Sequence, residues 1–65
     1  MTGYRIKRKG VEEYLTLAGT ITPDPKQAVV FLEFETPAII FLMETFDDHS
    51  LWFVEPVQVA VVMAA

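Results

Sequence analysis

The chain has 65 residues, no cysteine, 52% hydrophobic side chains and a net charge of −4. That length allows one domain at most, and such a domain hides only about 60% of the surface its unfolded form exposes. Disulfides and thiolate metal sites are excluded, and a pI near 4.6 runs against the usual nucleic-acid footprint, which exceeds about 9.

The first predicted element is a strand over Tyr4 to Lys9. Tyr4, Ile6 and Arg8 fall on one face, and Arg5, Lys7 and Lys9 on the other. Gly10 supplies a turn, because glycine adopts positive φ without steric penalty. A second strand follows from about Glu12 to Leu17, with Glu12 and Glu13 near enough to the basic strand to offset its charge, each pair worth at most about 1 kcal/mol. Gly19 marks the next turn, and Thr20-Ile21-Thr22 reads as a short continuation.

Pro23 and Pro25 lack the donor a central strand needs, and Asp24 is placed to cap a single helical or 3₁₀ turn over residues 25 to 28. A short third strand puts Val30, Leu32 and Phe34 on one side and Phe31, Glu33 and Glu35 on the other. The next segment, about 37 to 47, is apolar nearly all the way round. Thr36 is a good N-cap and Pro37 suits the first helical position. On a helical wheel Ala38, Ile39, Leu42, Met43 and Phe46 gather on the core arc, while Pro37, Glu44 and Asp47 oppose it. Ile40 and Phe41 fall on the wet side and make a contact patch. A buried strand from Ala38 to Met43 is the competing reading, since Ile-Ile-Phe suits a sheet. Glu44, Asp47 and Asp48 crowd the helix C-terminus, where the dipole disfavours negative charge by about 0.3 to 1 kcal/mol each.

After Asp47-Asp48-His49-Ser50, residues 51 to 62 read as a strand apolar on both faces, hence central or covered, with Pro56 at its start, an edge or a bulge. Residues 63 to 65 are expected to fray. The fold class is therefore α+β: a small sheet of an N-terminal hairpin, a third short strand and a C-terminal strand, packed against one helix.

The run YRIKRKGVEEYLTLAGTITPDPKQAVVF, followed by TPAIIF, resembles a pattern in small uncharacterised proteins of bacteriophages and bacteria. Those chains show a hairpin ending in Tyr-Leu-Thr, a Thr-x-Asp turn, an Ala-x-x-Phe strand and a helix opened near an Ala. The resemblance covers residues 4 to 41 and implies a hairpin, strand, helix and strand in that order, with no activity and no site.

Charge is divided along the chain. Residues 1 to 26 hold all five basic side chains against three acids, a net +2, and the remainder carries six acids with no base, a net −6. The basic patch Arg5, Lys7 and Lys9, with Tyr4 or Tyr14 to stack on a base, allows a charge-steered module for nucleic acid or another acidic partner. Nucleic acid is disfavoured by the overall charge, and the same lysines protect an edge strand from pairing with another. His49 is the lone imidazole, too few N or S ligands for zinc, and Ser50 beside it is badly placed for a hydrolytic triad. No metal, no cofactor and no enzymatic activity are expected. The apolar runs are shorter than the roughly 18 residues a membrane helix needs, and the basic N-terminal residues lack the apolar stretch of a signal peptide. The chain reads as a cytoplasmic structural or interaction domain whose surplus apolar surface meets a second copy or another protein. The contact residues are Ile40 and Phe41, with Trp52 as a possible anchor or, equally, a core residue.

Overall fold

The computed structural model describes residues 1–32 and 34–59. Among these residues five strands and one α-helix are formed: β1 (Thr2–Arg8), β2 (Tyr14–Leu15), β3 (Ile21–Thr22), β4 (Phe31–Leu32), α1 (Thr36–Thr45) and β5 (Trp52–Gln58). All pairings are antiparallel, so this is an α+β fold with one sheet and one helix.

β1 organises the sheet. Along one edge it pairs with β5 over seven positions, from Thr2 opposite Gln58 to Arg8 opposite Trp52. Its other edge is shared, with Lys7 opposite Tyr14 of β2, and Gly3 and Tyr4 opposite Leu32 and Phe31 of β4. β3 extends the sheet beyond β2. The β1–β2 turn has Gly10 at φ 74°, the left-handed region that glycine tolerates best. A 3₁₀ turn over Pro25–Gln27 is capped by Asp24, whose carboxylate accepts the Lys26 N–H at 2.9 Å, as the Asp24-Pro25 pair implies.

Alternation along β1 decides what is buried. Ile6 is on the helix side with no exposure, packed with Leu15, Leu42 and Trp52, and with Phe31, Phe41, Phe46 and Val54 around them. The Phe46 and Trp52 rings stack at 5.0 Å and fasten the end of α1 to the start of β5. Aromatic pairs of this kind contribute about 0.5 to 1.5 kcal/mol beyond burial.

Several expectations are corrected here. The second strand is two residues long rather than Glu12 to Leu17. The helix expected over about 37 to 47 is formed and the competing buried strand is not, but it begins one residue early: Glu35 is the capping position, without a side-chain hydrogen bond, and Thr36 is already helical. It also ends at Thr45, which leaves Asp47 and Asp48 beyond the helix and relieves the expected crowding of acids. The buried face is displaced by one residue from the expected arc. Ala38 and Leu42 are buried and Phe41 is half-buried, whereas Ile39 and Met43 are 39% and 58% exposed. The reason is that a helix apolar on every side has no face fixed by polarity. Ala38, with its small side chain and no exposure, marks where the helix approaches the sheet.

β5 pairs with β1 alone among the described residues, so it is an edge strand rather than a central one. Lys9 N–H donates to Leu51 O at 2.8 Å and Val59 N–H to Met1 O at 2.9 Å. These bonds fix the odd-numbered residues of β5 as those turned toward β1, because hydrogen-bonded and non-bonded pairs alternate. Pro56 therefore occupies a position whose donor would point outward, where a proline removes no bond within the sheet. The expected continuation through Val61 and Val62, and the frayed tail at 63 to 65, lie outside the described residues.

On the sheet face away from the helix, Gly3 is buried beneath Val30 and Val59. A methyl group there would lie 2.5 Å from Val30 Cγ1 and 2.7 Å from Val59 Cγ2. Gly3→Ala is therefore expected to destabilise the protein by about 1 to 3 kcal/mol through overpacking, seen as a lower midpoint in thermal or urea unfolding. Val30→Ala added to Gly3→Ala should recover part of that loss. Leu42→Ala, which opens a cavity, should cost about 2 to 5 kcal/mol.

Candidate functional site

The residues on the two sides of the sheet form surfaces of opposite character. On the side away from α1, β1 contributes Arg5 and Lys7, β2 contributes Tyr14 and β5 contributes Glu55. Arg5 Nε donates to Glu55 Oε2 at 2.9 Å, and the same guanidinium lies 4.6 Å from the centre of the Tyr14 ring. The Tyr14 hydroxyl donates to Glu12 Oε2 at 3.0 Å, and Lys7 Nζ lies 3.8 Å from Glu12 Oε1. Two cations and two carboxylates thus form one strip across β5, β1 and β2. Arg8 is paired separately with Glu13 at 2.9 Å. Glu12 and Glu13 do reach the basic strand, although both sit in the turn rather than in β2.

The basic patch is consequently divided. Arg5 and Lys7 are engaged by carboxylates, and Lys9 is exposed with no ion pair among the described residues. A phosphate approaching Arg5 would have to displace Glu55 from a bond whose side chains are only 21% and 26% exposed.

The second surface lies beside α1. Ile40 and Phe41 lie three and four residues after Pro37, and Glu44 four and three residues after them, so the four share one stripe. With Phe31, Phe34 and Thr36 they line a groove of about 570 Å³. Phe31 and Phe41 form its floor, their rings 5.6 Å apart and tilted by 50°. Phe34 and Ile40 project from its walls, 66% and 50% exposed. Glu44 is the acidic residue in the lining. No lysine or arginine lies between residues 27 and 65, and Glu44 forms no ion pair among the described residues.

Of the residues singled out from sequence, Ile40 and Phe41 are brought together in this groove, Ile40 on the surface and Phe41 half inside. Trp52 is not part of it. Its side chain is 7% exposed, pairs across from Arg8 and stacks on Phe46, which makes it a core residue and corrects its assignment as an interface anchor. Phe34 was missed, since strand alternation placed it with Val30 and Leu32. The signal was Pro37 three residues later, which has no donor for a ladder and suits the first turn of a helix, so the chain leaves the sheet before it.

The polar loop after α1 makes local bonds only. Asp48 Oδ1 accepts the Ser50 N–H at 3.0 Å, and this bond holds the Asp48 carboxyl below the usual carboxylate range. Asp47, Asp48, His49 and Ser50 are all exposed. Among the described residues no three histidine or acidic side chains gather in a group able to hold a metal ion, and no helix is long and apolar enough to cross a membrane. No protein-family model matches the chain, and neither a curated protein nor a solved structure matches it.

The Tyr14 phenol is pushed above its ordinary value, first by burial and then by its bond to Glu12 and the charge of that carboxylate, with the Arg5 charge opposing them. A folded-state value raised in this way stabilises the native state below the unfolded pKa, and the stabilisation is lost as pH rises through the folded value. Tyr14→Phe should therefore flatten the alkaline fall in stability. Glu12→Gln should move the tyrosinate absorbance transition of Tyr14 to lower pH, and a transition left in place would show that Glu12 does not govern this group.

Proposed function

We propose that this protein is a non-enzymatic interaction domain that associates with itself through the groove beside α1. The observation that carries the reading is the convergence of Phe34 and Ile40, both at least half exposed, on an apolar groove with an aromatic floor. Exposed aromatic and aliphatic side chains grouped in a concavity are the usual anchors of a protein interface. The helix adds to the surplus, since Ile39 and Met43 also remain in solvent. A chain this short has too little interior to hide them all.

A cytoplasmic setting and a role like that of the small phage and bacterial chains it resembles belong to the same proposal. The lack of any cysteine permits the first. The alternative, a module steered by the basic hairpin toward nucleic acid or another acidic partner, is weakened by the carboxylates that engage Arg5, Lys7 and Arg8.

Sedimentation over a range of concentrations tests the reading. The wild-type mass should rise above the 7.4 kDa of one chain, and Phe34→Ser with Ile40→Glu should weaken association by about 30-fold or more, the effect of losing one strong anchor. Circular dichroism should show both proteins folded, because both side chains lie in solvent. Undiminished association of the double variant would refute the groove as the contact.

A further inference from the structure

We infer that copies associate head to tail, the tip of the β1–β2 hairpin of one copy seating in the α1 groove of the next. This rests on the self-association proposed above and specifies its geometry.

The groove constrains its occupant by charge. It is apolar apart from Thr36 and Glu44, and that carboxylate has no ion pair among the described residues. A two-fold contact of groove against groove would bring Glu44 toward its own copy, and like charges brought together oppose association. The fitting occupant joins apolar side chains to an unengaged cation.

The hairpin tip offers both around Lys9 and Val11, while its acid Glu12 is turned to Tyr14 and Lys7. Val11 is 44% exposed, and Leu51, which the Lys9 N–H binds through its carbonyl at 2.8 Å, is 55% exposed. Lys9, bonded to Leu51 through the backbone and two residues before Val11 in the chain, is exposed and without an ion pair among the described residues. The tip is also held in shape. Arg8 N–H donates to Glu13 O at 2.9 Å, and Glu13 N–H to Val11 O at 2.9 Å. A preformed knob loses less conformational freedom on docking than a loose loop.

Knob and groove occupy separate parts of one copy. Lys9 lies five residues beyond Tyr4, the partner of Phe31 in the groove floor, or about 16 Å at 3.3 Å per residue. Each copy can thus donate its tip and receive another at once. Such a heterologous contact repeats into a ring or an open chain of copies rather than stopping at two.

Complementation between two broken surfaces tests this geometry. The tip variant carries Lys9→Glu with Val11→Asp, and the groove variant carries Phe34→Ser with Ile40→Glu. Wild type should grow in mass with concentration beyond a dimer, and each variant alone should lose association by about 30-fold or more. Mixed in equal amounts, the variants should form a one-to-one complex and nothing larger, since only one intact tip and one intact groove can meet. As a second groove variant with its apolar lining intact, Glu44→Lys should associate poorly alone and regain association when mixed with Lys9→Glu.

A tip variant that associates like wild type would overturn the head-to-tail inference and leave the groove as a contact between two equivalent faces. A mixture that remains monomeric would overturn it as well. A wild type that stays monomeric, or a groove variant that associates normally, would overturn both this inference and the function proposed above.

Discussion

Everything in this fold depends on β1 having partners on both of its edges. Without β5 on one side and β2 with β4 on the other, Ile6 would have no enclosed position, and α1 would have no sheet to cover. β1 is also the strand that carries most of the basic charge. Its hydrogen bonds therefore do two things at once: they enclose the apolar side chain at position 6 and they bring Arg5 and Lys7 beside carboxylates supplied by β5 and the hairpin turn. Tyr14, only 2% exposed on a sheet face without a helix over it, shows how far these long charged side chains serve as cover, their stems and the flat guanidinium lying over the ring.

Much of this arrangement is legible in the sequence. The alternation from Tyr4 to Lys9, the turn at Gly10, the Asp24-capped 3₁₀ turn and a helix opening at Thr36-Pro37 are local signals that hold. What depends on packing is harder to read. The face that α1 buries could not be chosen by polarity, because Ala38 to Met43 contains no polar residue, and the choice fell to the small side chain of Ala38. The lengths of β2 and β4 are set by how two short segments share one edge of β1, which no property of either segment expresses.

The candidate site divides along the same line. Ile40 was recognisable as a residue with no place on the core arc, and Glu44 as its neighbour one turn on, whereas Phe41, expected on the wet side, also packs against the core. Phe34 was not, since its position depends on where the chain leaves the sheet. Trp52 was ambiguous by nature: a single large aromatic side chain suits an interface or an interior equally well, and its register opposite Arg8, together with the stacked ring of Phe46, decides for the interior. The basic patch looked continuous in sequence and is not so in space, because Glu55 is brought to Arg5 across a separation of 50 residues in the chain.

The proline in the middle of β5 has a wider meaning for a chain so rich in strand-forming side chains. An open sheet margin invites another backbone to dock and extend the ladder, regardless of that backbone's sequence. A ring nitrogen facing outward at position 56 interrupts the row of donors such growth would require. Fibril-like stacking is thereby discouraged, and whatever company this protein keeps has to be chosen by side chains.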